Sequence, residues 1–320
     1  MIITLIISVV MIISLFWNNF SVVRMPIESG SLLFNAINSY LSNSGIYYLP
    51  AIVAAVLLAF EIIFVINLNS KFEITRAKAN FFIIVYIIIS LMYIPYNILL
   101  PEQFANIFLI LGMFYILESN GMDDASYNVF NAGLLCGCAT LFCINAFLLI
   151  FVGIISLLIF RPYRTREWCM IILGTITPIL IYATLYFLIF DSINPILDSI
   201  KNQILVDKNY NFSQNGIIFF AIMAFWIFIG STFMINLYPT FNIFTARTFK
   251  LLFCMFVLII GATISPFFGS ETLRLAVFPL SFMLVKFFFN LKKGLWSEIL
   301  ISLFIISAIA YHVLWYRMVN

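Results

Sequence analysis

The sequence predicts an all-α fold, a polytopic bundle of about eleven transmembrane helices forming one integral membrane domain over residues 1–320. Three observations carry this. Of the residues 64% are hydrophobic and only 9% charged, against roughly 25% charged in a soluble domain. Apolar stretches of spanning length, about 17–25 residues, recur along the whole chain. The longest polar segments, 20–48 and 191–215, have about 25 residues each, too few for a core of their own. The net charge of +3 arises mainly between apolar segments and implies no nucleic-acid partner.

The segments read as spans are 1–19, 49–68, 79–96, 103–118, 128–143, 145–160, 168–190, 216–237, 249–267, 272–290 and 296–315. Residues 1–17 lack a basic start and a small-residue cleavage site, so they read as a retained span and not a signal peptide. In the outer loop 20–48, Leu32, Leu33, Ala36, Ile37 and Leu41 recur at helical spacing. In the outer loop 191–215, Ile193, Ile196, Leu197, Ile200 and Ile204 share one face. Both predict amphipathic helices on the outer membrane surface, with packing against the bundle as the alternative.

About thirty residues from Asn131 carry no charge. One helix over 129–160 would be about 48 Å long, well beyond a hydrocarbon core of about 30 Å. A hairpin turning near Asn145 resolves the mismatch. Arg161, Arg164 and Arg166 then fall within six residues, with Tyr163 and Trp168 beside them. This RPYRTREW loop reads as an anchor in an anionic cytoplasmic leaflet.

Charge tests the count. With 69–78 inside, alternation puts Lys71, Arg76, Lys78, Arg161, Arg164, Arg166, Arg247, Lys250, Lys286, Lys292 and Lys293 on the inner side. Arg24, Lys201, Lys208, Arg274 and Arg317 fall outside, a split of eleven to five. That is the positive-inside bias; it places the N-terminus in the cytoplasm and the C-terminus outside.

Glu61 stands about twelve residues into the second span. A charge near the bilayer centre costs at least about 2.5–3.5 kcal/mol, so Glu61 must face the bundle, pair, or be protonated. It is the candidate carboxylate for proton or substrate handling. Arg24 and Glu28 in the first outer loop, Asp191 and Asp198 in the second, and Glu271 and Arg274 before the tenth span form a candidate ring around an outer cavity. Such carboxylates can act as a base or hold a divalent metal, the one candidate cofactor. Arginine can grip a lipid phosphate. Glu118, Asp123 and Asp124 read as a solvated turn. The five cysteines lie in or beside apolar segments and read as small buried hydrophobes. His312 is the only histidine, too few for haem pairs or histidine-rich iron sites. No P-loop and no GxGxxG occurs.

NAGLLCGCATLF, FRPYRTREW and LGTITP, with FEIIFVINLNSKFEITRAKANFF, PEQFANIFLILG and LRLAVFPLSFMLVKFF around them, resemble a family of uncharacterised polytopic inner-membrane proteins of Gram-negative bacteria marked by the REW loop. A more distant likeness is to the C-type membrane glycosyltransferases that use polyprenyl-phosphate sugars. It rests on the first outer loop with its helix, the glycine-rich short span pair ending in arginines, and ETLRLAVFPLSFML. That likeness implies an acidic residue in the first outer loop, where Glu28 stands in place of the commoner Asp.

These readings set three expectations. The first is a glycosyltransferase-like protein of the bacterial inner membrane acting on a polyprenyl-phosphate-linked sugar or envelope glycolipid. Glu28 and Glu271 would be catalytic, and Arg24 and Arg274 would bind phosphate. The second is a proton-coupled transporter or lipid flippase using Glu61. The third is a non-catalytic scaffold that docks an envelope-complex partner protein through the arginine loop. Membrane lipids are partners in all three.

Overall fold

The computed structural model describes residues 31–43, 49–91, 99–161, 164–205, 225–226, 228–232, 241–264, 270–291 and 298–307. Every regular element among them is helical. In order they are α1 (Leu32–Asn43), α2 (Leu49–Phe72), α3 (Ala79–Leu91), α4 (Pro101–Glu118), α5 (Ser126–Phe142), a 3-10 turn (Ile144–Phe147) and α6 (Leu148–Phe160). Then come α7 (Thr165–Phe190), α8 (Asn194–Leu205), α9 (Ile243–Ile264), a 3-10 segment (Ser270–Ala276) and α10 (Val277–Asn290). The last, α11, covers Glu298–Ser307. The span expected at 1–19, most of that at 216–237, and Arg24, Glu28 and His312 lie outside the described residues.

Four stretches are long and apolar enough to cross a membrane: Leu49–Phe72, Thr165–Phe190, Ile243–Thr263 and Thr272–Asn290. Ala79–Ser90, Ile144–Phe160 and Glu298–Ser307 are apolar but shorter. The four long stretches differ sharply in burial. The spanning window of Thr272–Asn290 is 94% buried and that of Thr165–Phe190 only 22%. The 3-10 segment and α10 therefore form the central column, and α7 stands at the edge. A helix that is apolar all round suits the centre. Phe282 of α10 meets Phe82 of α3 edge-to-face, their centroids 4.8 Å apart.

The chain does double back after α5. Cys143 takes extended backbone angles (φ −139°, ψ 113°) that end the helix. A 3-10 turn containing Asn145 follows, and α6 returns alongside. Leu157 packs with Ala125 and Val129, and the Cys136 thiol donates to the Leu149 carbonyl at 3.9 Å. The return leg makes only part of the contact. The closest pairing is between α5 and α7, where Gly133, Gly137 and Gly174 leave no room for a Cβ. Side chains there would strike the carbonyl oxygens of Ile171, Thr175 and Phe130. Small residues spaced four apart let two apolar helices touch backbone to backbone.

Loops expected on one side share one end of the bundle. Lys71 pairs with Glu118 at 2.7 Å. Arg161 Nη1 donates to the Ser119 and Met122 carbonyls at 2.6 and 2.7 Å. Lys286 Nζ donates to the Thr75 carbonyl at 3.4 Å, and Phe72 meets Phe244 at 6.0 Å. This is the basic end. At the opposite end the Ser31 hydroxyl donates to the Leu141 and Phe142 carbonyls. There α1 is helical as expected, but one face docks on the bundle, with Phe34 fully buried beside Ala54 and Leu99. α8 is helical too; Ile200 on it and Ile193 just before it stay 36% and 42% exposed.

Candidate functional site

One set of buried polar groups converges on Glu61. Its position midway along α2 gives it no route to the helix ends: eleven residues at 1.5 Å each is about 16 Å. It is fully buried, so its oxygens depend on neighbours. Tyr86 of α3 donates its hydroxyl to Glu61 Oε2 at 2.8 Å. Asn106 of α4 donates Nδ2 to the Tyr86 oxygen at 3.2 Å. Arg274 of the 3-10 segment places Nη2 3.7 Å from Glu61 Oε2 and is itself 1% exposed. Four elements thus supply one carboxylate, one phenol, one amide and one guanidinium. Opposite charges in contact offset the cost of desolvating each, the condition under which buried ions are tolerated.

The cluster is incompletely satisfied. Glu61 Oε1, Asn106 Oδ1, Gln103 Oε1, Ser90 Oγ and the Arg274 atoms Nε and Nη2 are buried without a hydrogen-bond partner. Buried polar atoms are normally bonded, so each orphan invites an explanation in ligand, water or function. Toward the end opposite the basic one, Glu102, Gln103 and Asn106 line the buried first turns of α4. Glu102 Oε1 there accepts the Cys143 thiol at 3.4 Å. A polar row therefore leads from that end of α4 to the cluster. On the other side of Glu61, the buried residues of α2 up to Asn69 are Val65 and Leu68, both apolar.

This arrangement redraws the expected ring of outer charges. Arg274, counted with the solvated outer arginines, is buried because the 3-10 segment turns it onto Glu61. Arg24 and Glu28 lie outside the described residues, as does the side chain of Glu271, whose backbone belongs to the 3-10 segment. Asp191 caps α7 in a left-handed conformation (φ 52°). Among the described residues, no three His, Cys, Asp or Glu side chains gather as metal ligands. Tyr86, Glu102, Gln103 and Asn106 were not singled out from the sequence. A Tyr inside FFIIVYIIIS, and polar residues four apart on α4, were the available signals.

The arginine loop is a second polar centre with a different character. Arg161 is buried, its Nε 2.6 Å from Glu167 Oε2, and its Nη2 reaches the Asp123 carbonyl at 3.2 Å. The anchor expected for a lipid surface is at Arg161 an internal staple that joins the 119–125 turn to the start of α7. Arg164 and Arg166 are exposed, and Trp168 is half-buried against the Ala125, Val129, Leu157 and Ile171 cluster. Arg166 pairs with exposed Asp124 at 3.3 Å. Bonds from the Ser126 hydroxyl and amide at 2.6 and 3.0 Å, with Arg166 and Arg164 adding less, hold the Asp124 carboxyl below the usual range.

The class these features define is an all-helical protein with apolar helices of membrane-crossing length and a buried ionic cluster at its centre. Compared with protein-family models, curated proteins and solved structures, the chain matches none of them.

Proposed function

We propose that the chain is an inner-membrane protein of about eleven spans, N-terminus in the cytoplasm and C-terminus outside. In this reading it acts on a lipid-linked sugar or envelope glycolipid in the manner of the C-type glycosyltransferases. One observation carries it: a buried arginine with unspent donors beside a buried carboxylate, at the inner end of a buried polar row along α4. The unspent donors of Arg274 suit a phosphate oxygen, which accepts charge-assisted hydrogen bonds. In the transfer, an acceptor hydroxyl oxygen bonds to the anomeric carbon while its bond to the polyprenyl phosphate breaks. The guanidinium stabilises the charge on the departing phosphate, and a carboxylate takes the hydroxyl proton. Glu61 is the nearest candidate for that carboxylate. Glu28 and Glu271 are further candidates, and Arg24 is a second phosphate contact.

The test uses proteoliposomes loaded with a polyprenyl-phosphate-linked sugar. R274K keeps the charge but loses the planar fork, and E61Q removes the base. Each is expected to lower turnover by about a hundredfold or more in protein that still inserts. Unchanged transfer in both variants would sink the proposal. The mid-helix position of Glu61 favours one competitor, proton-coupled transport, which predicts instead a pH-dependent flux of the intact lipid that E61Q abolishes.

A further inference from the structure

A second site lies at the basic end, away from the ionic cluster. A cavity of about 330 Å³ opens between the end of α2 and the start of α3. Its lining has two halves. Asn69 and Ser70 at the end of α2 and Glu73 and Arg76 in the turn after it are polar, while Ile66 and Phe82 lie deeper along the two helices. The turn is held in an unusual shape. Asn69 Oδ1 accepts both the amide and the hydroxyl of Thr75, at 3.0 and 2.8 Å. The Thr75 hydroxyl oxygen accepts the Ala77 amide at 3.3 Å, and Lys286 holds the Thr75 carbonyl. With Thr75 pinned inward, its neighbours adopt left-handed backbone, Glu73 at φ 46° and Arg76 at φ 56°. Non-glycine residues sit there only under strain. Three such residues occur in the described chain, and two of them line this one cavity. Among the described residues neither Glu73 nor Arg76 has an ion-pair partner, unlike Lys71, which is spent on Glu118.

We propose that this cavity binds the headgroup of a membrane phospholipid, with its phosphodiester on Arg76 and a headgroup hydroxyl donating to Glu73. A phosphate oxyanion matches a free guanidinium, and Lys78 in the same turn and Lys286 add positive potential. The carboxylate rejects a bare anion and favours one that carries a donor. The apolar lower wall of Ile66 and Phe82 suits the start of an acyl chain. The volume is at the small end for ligand pockets, enough for a headgroup and not for a whole lipid.

The experiment measures thermal unfolding of the full chain in detergent with phosphatidylglycerol, with glycerol 3-phosphate and with diacylglycerol. Phosphatidylglycerol should raise the midpoint and diacylglycerol should not. A rise with glycerol 3-phosphate alone, equal to that with the lipid, supports the phosphate contact but assigns it to a soluble ligand and overturns the lipid. R76G separates binding from folding. Glycine relieves the left-handed strain, so its ligand-free midpoint should rise above wild type. Its apparent affinity should fall by about tenfold, the loss of one charge-assisted contact. A79F, which fills the cavity and spares Arg76, should also lose the response. Wild-type affinity in both variants, or an equal rise with diacylglycerol, would overturn the proposal.

Discussion

Glu61 and Arg274 each answer for the other. Alone, either would be a buried charge with no counter-ion, and breaking such a pair costs about 3–5 kcal/mol. R274M should therefore destabilise strongly, and E61Q should do so as well. The double variant E61Q/R274M should recover much of the loss, because a neutral pair needs no compensation. Denaturant unfolding of the four proteins in micelles measures the coupling, and additive losses would show that the pair is not one unit. That Glu61 needed a partner was legible in the sequence, since a mid-span carboxylate has few options. Which partner was not, because Arg274 reads locally as one more interfacial arginine and only the fold turns it inward. Asp124 is the opposite case, exposed and set by its own turn. Its folded pKa is depressed, so its contribution to stability is complete above the unfolded-state value of about 3.9 and is lost as the pH falls through the lower folded value. Removing the hydroxyl in S126A should bring the carboxyl titration, followed by carbon NMR, back up toward the ordinary range. An unmoved titration would assign the shift to the Ser126 amide and the arginines instead.

The α5–α7 contact shows what helix-scale patterning can and cannot reveal. Length arithmetic placed the hairpin, and the break at Cys143 lies within two residues of Asn145. The hairpin is not the packing unit, because α5 binds more closely to α7 than to its own return leg. The signal was present in Gly133 and Gly137, four apart, with Gly174 across from them, but glycine spacing does not name the partner helix. G133V and G174V should each destabilise by about 3 kcal/mol, at the upper end for overpacking, since the obstacle is backbone. Gly261 in α9 is the control, with open space where its Cβ would stand. G261A should stabilise by roughly 0.5–1 kcal/mol through reduced backbone entropy. Similar effects at all three positions would mean that the α5–α7 backbones are not in contact. α1 makes the same point from another side. Its spacing predicted a helix, yet an amphipathic face suits a bilayer surface and a protein groove equally well, and buried Phe34 went to the groove.

At the scale of the molecule, alternation of loops is the claim on which the rest depends, and it can be tested without knowing which side is cytoplasmic. The 73–78 turn, the 119–125 turn, Arg161 and the start of α9 meet at one end, while Ser31 and the α5–α6 turn meet at the other. If α7 crosses the membrane, the positions at its two ends must label from opposite sides. In a chain with its five cysteines replaced, single cysteines at Lys78 and Arg164 should react with an impermeant thiol reagent from one face of sealed vesicles. Cysteines at Tyr40 and Asp191 should react from the other. The eleven-to-five distribution of basic residues predicts that the first pair faces the cytoplasm. Labelling of 164 and 191 from the same face would mean that α7 does not cross, and the one-sided approach along α4 to Glu61 and Arg274 would lose its basis. Labelling on opposite faces with the basic pair outside would keep the bundle and invert its orientation. The buried polar row on α4 would then lie toward the cytoplasmic side, where a lipid-linked sugar is presented from the other leaflet.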